Sequence, residues 1–160
     1  MHVLFVIPRF AAPGHFYQYS TGLASVYAFL KLQGVSVSCL NLCHESCTTY
    51  EALVRECARR RVNVVCTGSM SMYWWEIEDI LVSARSISRD LITVVGGPIV
   101  TADPELAMTH LPIDYGVIGE GEYTLMELLE MLQRQGQPDT VKGLAFRNRD
   151  GQLVITEKRE

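Results

Sequence analysis

Leu91-Ile92-Thr93-Val94-Val95-Gly96-Gly97-Pro98 holds the reading of the chain. Five β-favouring residues run with almost no polar break, and a glycine pair with a proline ends them. A strand with one wet face alternates apolar and polar side chains. A nearly continuous apolar strand is covered on both faces, as in a parallel sheet. Soon after, Asp103-Pro104-Glu105 supplies a helix N-cap, a proline at the first helical position and an acidic first turn. The stretch is thus a strand, a tight turn and a helix start.

Working outward, the same unit repeats. Apolar runs rich in Val and Ile recur at Val3–Ile7, Val35–Leu42, Val62–Thr67 and Tyr115–Ile118. Between them apolar residues fall at i, i+3, i+4, i+7: Leu23, Val26, Tyr27, Leu30, then Tyr50, Leu53, Val54, Cys57. Ile77, Ile80, Leu81, Ala84 and Leu125, Leu128, Leu129, Leu132 repeat that spacing, which is one face of a helix. Thr48-Thr49-Tyr50-Glu51 is a capping box, and Gly34 and Gly136 stop helices. Alternating strands and helices predict an α/β, flavodoxin-like (Rossmann-like), doubly wound parallel five-stranded sheet of order 2-1-3-4-5. Its ligand crevice is expected at the carboxyl ends of strands one and three. After Pro138 the pattern changes: Gly143–Arg147 and Gln152–Thr156 flank Asn148-Arg149-Asp150-Gly151, a C-terminal β-hairpin.

The 160 residues suit one domain, and 48% apolar with 20% charged residues is enough for a sizeable core. The formal charge of −4 argues against a nucleic-acid partner. From Trp74 to Glu130 there are 11 acidic and 2 basic residues, against 7 and 12 elsewhere, so a phosphate-rich ligand in the middle is disfavoured. No apolar run reaches the ~20 residues of a membrane span. Met1–Pro8 lacks the basic start and small-residue cleavage site of a secretion signal and is expected to be a buried strand. Five cysteines, an odd number, suit reduced thiols in a cytoplasmic protein.

In such a fold the loops after the strands carry function. Strand one is followed by Pro8, Arg9 and Phe10, and strand three by Thr67, Gly68, Ser69, Met70, Ser71 and Met72. Strand four leads into Gly96, Gly97 and Pro98, and strand five into Gly119, Glu120, Gly121 and Glu122. Small residues at three adjacent strand ends leave a long slot for a bulky flat or extended ligand. Gly119-Glu120-Gly121 lacks the third glycine of a dinucleotide fingerprint and the lysine of a P-loop. Its glutamates complement the following helix and would repel an anion.

Three segments in order, Gly96–Glu105, Asp114–Glu122 and Val141–Arg147 with Asp150-Gly151, closely resemble the N-terminal cobalamin-binding domain of cobalamin-dependent radical SAM enzymes. The resemblance implies base-off cobalamin with its nucleotide tail along the carboxyl edge of the sheet. It implies that Thr67, Ser69 and Ser71 hydrogen-bond the tail and that Gly96, Gly97, Gly119 and Gly121 leave it space. Residues 1–138 would be the cobalamin-binding unit and 139–160 a hairpin and linker. The resemblance implies a radical SAM catalytic domain, with its [4Fe–4S] cluster, S-adenosylmethionine and small-molecule substrate, either beyond residue 160 of the same parent chain or on a separate chain. The parent chain would be a methyltransferase or a cyclase, and no residue here is expected to catalyse alone.

The cluster needs Cys-x3-Cys-x2-Cys, whereas Cys39, Cys43 and Cys47 are spaced x3 and x3. Some cobalamin domains supply a histidine from Asp-x-His-x-x-Gly. Around His15 those flanking positions are Pro13 and Gln18, so no protein metal ligand is expected. His44 beside Glu45 is read as a loop end, His110 as a helix-end cation, and Arg59-Arg60-Arg61 as a solvated face. Trp74 and Trp75, with Met70, Met72 and Tyr73, either cover the corrin face or pack against the catalytic domain, or one tryptophan is core and the other a surface anchor. Other readings stay open: a docking or receiver-like module without cofactor, or an FMN-binding module. A receiver would need acidic residues after strand one and an aspartate after strand three, and the chain has Pro8-Arg9-Phe10 and Thr67-Gly68 there.

Overall fold

Val3, Leu4, Phe5, Val6 and Ile7 are each at most 2% exposed, so the first strand is covered on both faces. In the computed structural model, which describes residues 1–12 and 14–159, this strand is β1 (His2–Ile7). The chain continues through α1 (Thr21–Leu32), β2 (Ser36–Asn41), α2 (Thr49–Arg60), β3 (Val64–Gly68) and α3 (Trp74–Ile87). Then come β4 (Ile92–Gly96), α4 (Pro98–Thr101), α5 (Pro104–His110), β5 (Tyr115–Val117), α6 (Gly121–Arg134), β6 (Leu144–Arg147) and β7 (Leu153–Ile155). The strand order is β2-β1-β3-β4-β5-β6-β7, with the first five parallel.

Side chains of β1 alternate between two layers. Val3 and Phe5 pack with Leu30 of α1 and Leu125, Leu128 and Leu129 of α6. Leu4 and Val6 pack on the opposite face with Ala52 and Leu53 of α2 and Ile80 and Ala84 of α3. Further along that face, Val95 meets Ile77 and Leu81 of α3 and Val100, Ala107 and Met108 of α4 and α5. Helices therefore cover both faces, as the nearly continuous apolar strands require. The capping box at Thr48 and Glu51 is formed, and Asp103 accepts the Leu106 amide at 2.9 Å.

The sheet has seven strands instead of five. The hairpin continues it, β6 pairing antiparallel with β5 in the register Val117↔Leu144 and Tyr115↔Phe146, and β7 pairing with β6. β5 would otherwise end the sheet with unpaired N–H and C=O groups, and Leu144 and Ala145 are fully buried by the pairing. The loop expected after β4 contains the single helical turn α4, entered through Gly97 at φ +82. The arginine run at the end of α2 is only in part a solvated face. Glu56, 7% exposed, lies 3.4 Å from Arg59 and 3.2 Å from Arg60. Trp74 packs on the core and Trp75 is exposed.

One close approach fixes the carboxyl edge. Gly68 and Gly96 are paired across β3 and β4, and a Cβ on Gly68 would stand 2.2 Å from the Gly96 carbonyl oxygen. Backbone cannot yield as a side chain can, so Gly68→Ala is expected to destabilise the fold by about 2–4 kcal/mol. Gly96→Ala, whose Cβ would meet Val117 at an ordinary 3.6 Å, is expected to cost less. Urea unfolding of the two variants measures the difference.

Candidate functional site

From β1 the chain passes to β2 on one side, and β3 then pairs on the other side of β1. The connections part at that point, and a crevice opens beyond the carboxyl ends of the strands. It is a cleft of about 920 Å³. Its floor is the α1–α6 face of the sheet, with Phe5, Cys66, Thr67, Val94 and Val117, and its sides include Leu23 and Val26 of α1 and Leu125 of α6. Gly121 lets α6 approach α1: a Cβ there would lie 3.1 Å from Val26. Above Gly121, Ser25 donates to Glu122 at 2.5 Å, and the Phe29 and Tyr123 rings meet at 5.0 Å.

Of the residues singled out in the sequence, Phe10, Thr67, Gly68, Ser69, Met70, Gly96, Gly97, Pro98, Gly119, Glu120 and Gly121 line this cleft together. Pro8 and Ser71 do not: the Pro8 carbonyl faces the Cys43 thiol, and Ser71 opens an exposed 3-10 turn. Thr67 is 1% exposed and its hydroxyl donates to the Val6 carbonyl at 2.8 Å, leaving only acceptor capacity toward the cleft. Gly97 and Gly119 adopt φ +82 and +77, and no atom lies within 4 Å of a Cβ built on Gly119. The Gly119 amide is held by Thr101 Oγ1 at 3.0 Å.

The contribution of α1 was not visible in the sequence. Tyr19, Ser20, Leu23, Ser25 and Val26 line the cleft, yet their pattern reads as an ordinary amphipathic helix start. The available signal was the lack of acidic residues in the first turn. Cys66 was not singled out either. It is a floor residue whose complete burial pushes its thiol far above the ordinary range and keeps it neutral.

The β1–α1 loop is tied to the β2–α2 loop. Arg9 donates to the Glu45 carbonyl at 2.6 Å and the Cys47 carbonyl at 3.0 Å. The Phe10 amide donates to the Cys43 sulfur at 3.3 Å. Asn41 donates to the Tyr17 hydroxyl at 2.6 Å, and that hydroxyl lies 2.8 Å from His44 Nε2. The Phe10 ring, a wall of the cleft, meets Tyr73 edge-on at 4.6 Å. His44 and Glu45 thus face different partners, because Glu45 pairs with Arg55 at 2.6 Å. The Arg55 hydrogen bond holds the Glu45 carboxyl below its ordinary range. Cys39, Cys43 and Cys47 are free thiols on different surroundings, Cys39 exposed on β2 and Cys43 buried under Pro8.

His15 is exposed in the β1–α1 loop and does not line the cleft; its neighbour Pro13 lies outside the described residues. His2 sits at the amino end of β1 between Ser36 and Ser38, at 2.7 and 2.8 Å, and His110 ends α5. No group of three or more His, Cys, Asp or Glu that could hold a metal is found among the described residues.

An open α/β sheet with an apolar cleft and glycine turns at its carboxyl edge is a domain built to hold a large organic cofactor. The B12 binding domain family matches residues 12–129, and the chain belongs to that family, whose ligand is cobalamin. A segment of 65 residues is 40% identical to an uncharacterized methyltransferase of Pyrococcus horikoshii, covering 40% of this chain and 14% of that protein. The fold is shared with the radical S-adenosylmethionine methyltransferase TsrM of Kitasatospora setae, solved with cobalamin and a [4Fe–4S] cluster. The TM-score is 0.86 at 21% identity, over 99% of this chain and 29% of that one. It is shared also with the cobalamin-dependent S-adenosylmethionine radical enzyme OxsB, with a TM-score of 0.77 at 19% identity over 99% and 22% of the two chains. The chain therefore spans less than a third of each of these proteins.

Because Arg9 alone spans to two carbonyls of the neighbouring loop, Arg9→Ala is expected to free the first cleft wall. Hydrogen exchange at residues 10–12 and 14–20 should quicken by about tenfold or more, while exchange in β1 and β3 stays unchanged. Equal exchange in both proteins would show that the aromatic contacts suffice.

Proposed function

We propose that this domain holds cobalamin base-off in the cleft, with the nucleotide tail between α1 and α6 on the carboxyl edge of the sheet, and presents it to a radical SAM catalytic domain. One observation carries the reading. A mostly apolar cleft of about 920 Å³ is bordered at three strand ends by glycines and small residues, and at Gly119 no atom lies within 4 Å of a built Cβ. The site fits the cofactor in chemistry as well as in size. The floor is largely apolar, no atom lies within 4 Å of a Cβ built on Gly119, and Ser69 lines the cleft. Glu120 and Glu122 at the start of α6 suit hydrogen-bond donors such as amides and disfavour free phosphate.

In this reading Thr67 and Ser69 hydrogen-bond the tail, Gly96, Gly97 and Gly119 border its path, Gly121 brings α6 against α1 beside it, and Phe10, Met70 and Pro98 exclude water at the rim. Ser71, which points away from the cleft, supports its turn only. Residues 1–138 form the cofactor-binding unit, and 139–160 the hairpin and linker toward the catalytic core. Bound cobalamin supplies cobalt-centred group transfer, for methylation or ring formation in the complete enzyme. Residues of this chain bind and orient it, and the partner domain brings the [4Fe–4S] cluster, S-adenosylmethionine and the small-molecule substrate. No helix among the described residues is long and apolar enough to cross a membrane.

Hydroxocobalamin is expected to bind with one-to-one stoichiometry and an optical change, whereas FMN and NAD give none. Tight FMN binding without cobalamin binding would overturn the reading. Ser69→Trp, outside the core, should weaken cobalamin binding by about tenfold or more with the fold intact by circular dichroism. His44 is engaged with Tyr17, and His15, His2 and His110 lie off the cleft. Electron paramagnetic resonance of bound cob(II)alamin should therefore show no nitrogen splitting, and no change in His15→Ala. A triplet that disappears in that variant would assign His15 to the cobalt.

A further inference from the structure

The single helical turn α4 ties together the loops on either side of it at the carboxyl edge. It sends two buried side chains, Ile99 at 3% and Val100 at 0% exposure, into the layer of α3 and α5. Gly116 of β5 leaves the space that Val100 occupies: a Cβ built on that glycine would stand 2.9 Å from Val100 Cγ1. So seated, α4 lines the cleft with Pro98 and Thr101. A hydrogen bond joins it to each neighbouring loop. The Ile99 amide donates to the Ser69 carbonyl at 3.1 Å, which holds the loop after β3. Thr101 Oγ1 accepts from the Gly119 amide at 3.0 Å, which holds the loop after β5.

The second tie matters more, because packing does not hold Gly119. It stands at φ +77 with no atom within 4 Å of a built Cβ, and a glycine so placed keeps a wide choice of backbone conformations. Ile118 before it is fixed: it is buried, and its amide donates to the Gly143 carbonyl at 2.8 Å. Gly121 after it opens α6, where a Cβ would lie 3.1 Å from Val26. Between those two points the Thr101 bond selects the conformation in which Gly119 and Glu120 line the cleft. We propose that Thr101 is a positioning residue for cofactor binding, acting through the Gly119 amide to hold this turn ready before the cofactor arrives. This rests on the cobalamin reading. A loop already in its bound conformation spares the ligand the cost of ordering it, so losing the tie shows as lost affinity. Thr101 is itself exposed, so its hydroxyl can be exchanged for a methyl group without opening a cavity in the core.

The test compares the unsubstituted protein with Thr101→Val, which keeps the shape and removes the acceptor, and Thr101→Ser, which keeps the acceptor. Equilibrium binding of hydroxocobalamin should weaken by about fivefold or more in Thr101→Val and stay within about twofold in Thr101→Ser. In the cofactor-free proteins, exchange of the Gly119 amide should quicken by about tenfold or more in Thr101→Val alone, with the amides of β5 unchanged. Thr101→Val binding as tightly as the unsubstituted protein overturns the proposal. So does Thr101→Ser binding as weakly as Thr101→Val. Exchange that quickens as much throughout β5 as at Gly119 also overturns it, because the hydroxyl would then support the fold and not the turn. Failure of the unsubstituted protein to bind hydroxocobalamin would strike at the cobalamin reading, and with it the cofactor role given to Thr101; the Gly119 exchange rate would still show whether the hydroxyl holds the turn.

Discussion

The two-sided burial of β1 is the constraint on which the structure depends. Val3, Leu4, Phe5 and Val6 alternate between the α1–α6 layer and the α2–α3 layer, and none is more than 1% exposed. A strand buried this way has neighbours on both edges and helices on both faces, and here the chain passes to β2 on one edge and comes back to β3 on the other. The crevice between them follows from that topology and is present before any ligand-binding residue is specified. Residue choice then decides what it accepts: glycines open its rim and apolar side chains dry its floor.

Most of this was legible because it rests on periodicity. Unbroken apolar runs such as Leu91–Val95 and i, i+3, i+4, i+7 sets such as Leu125–Leu132 state which face each element buries. Thr48-Glu51 and Asp103-Pro104 state where helices begin, and both caps are formed. The loops at the strand ends were legible by position, which is why Thr67, Ser69, Gly97 and Gly119 meet in one cleft. The hairpin's place in the sheet was not legible, because a two-residue alternation gives a strand but not its neighbour. The role of α1 was hidden for a related reason. Ser25 and Val26 belong to the site only because Gly121 brings α6 against them, and contact across 95 residues leaves no local signature.

Loop anchoring falls between these cases. Arg9 and Tyr17 lie in the loop after β1, where the local sequence gives neither of them a partner. Their work is to fasten one loop to the next: Arg9 reaches two carbonyls, and Tyr17 joins Asn41 and His44. A loop without regular structure must satisfy its polar groups somewhere, and side chains of the adjacent loop meet that need here. The wall presented by Phe10 is thereby held in place without a helix or a strand beneath it.

The hairpin has a consequence for how the molecule meets copies of itself. A parallel sheet that stopped at β5 would offer an open ladder of amides and carbonyls to any extended chain, and such edges invite self-association. β6 closes that ladder with a strand of opposite direction, and Arg147 secures it by donating to the Met108 and Gly151 carbonyls. The border left on that side is β7, only three residues long and followed by the charged run Glu157-Lys158-Arg159. So short and charged a border is a poor template for fibre growth.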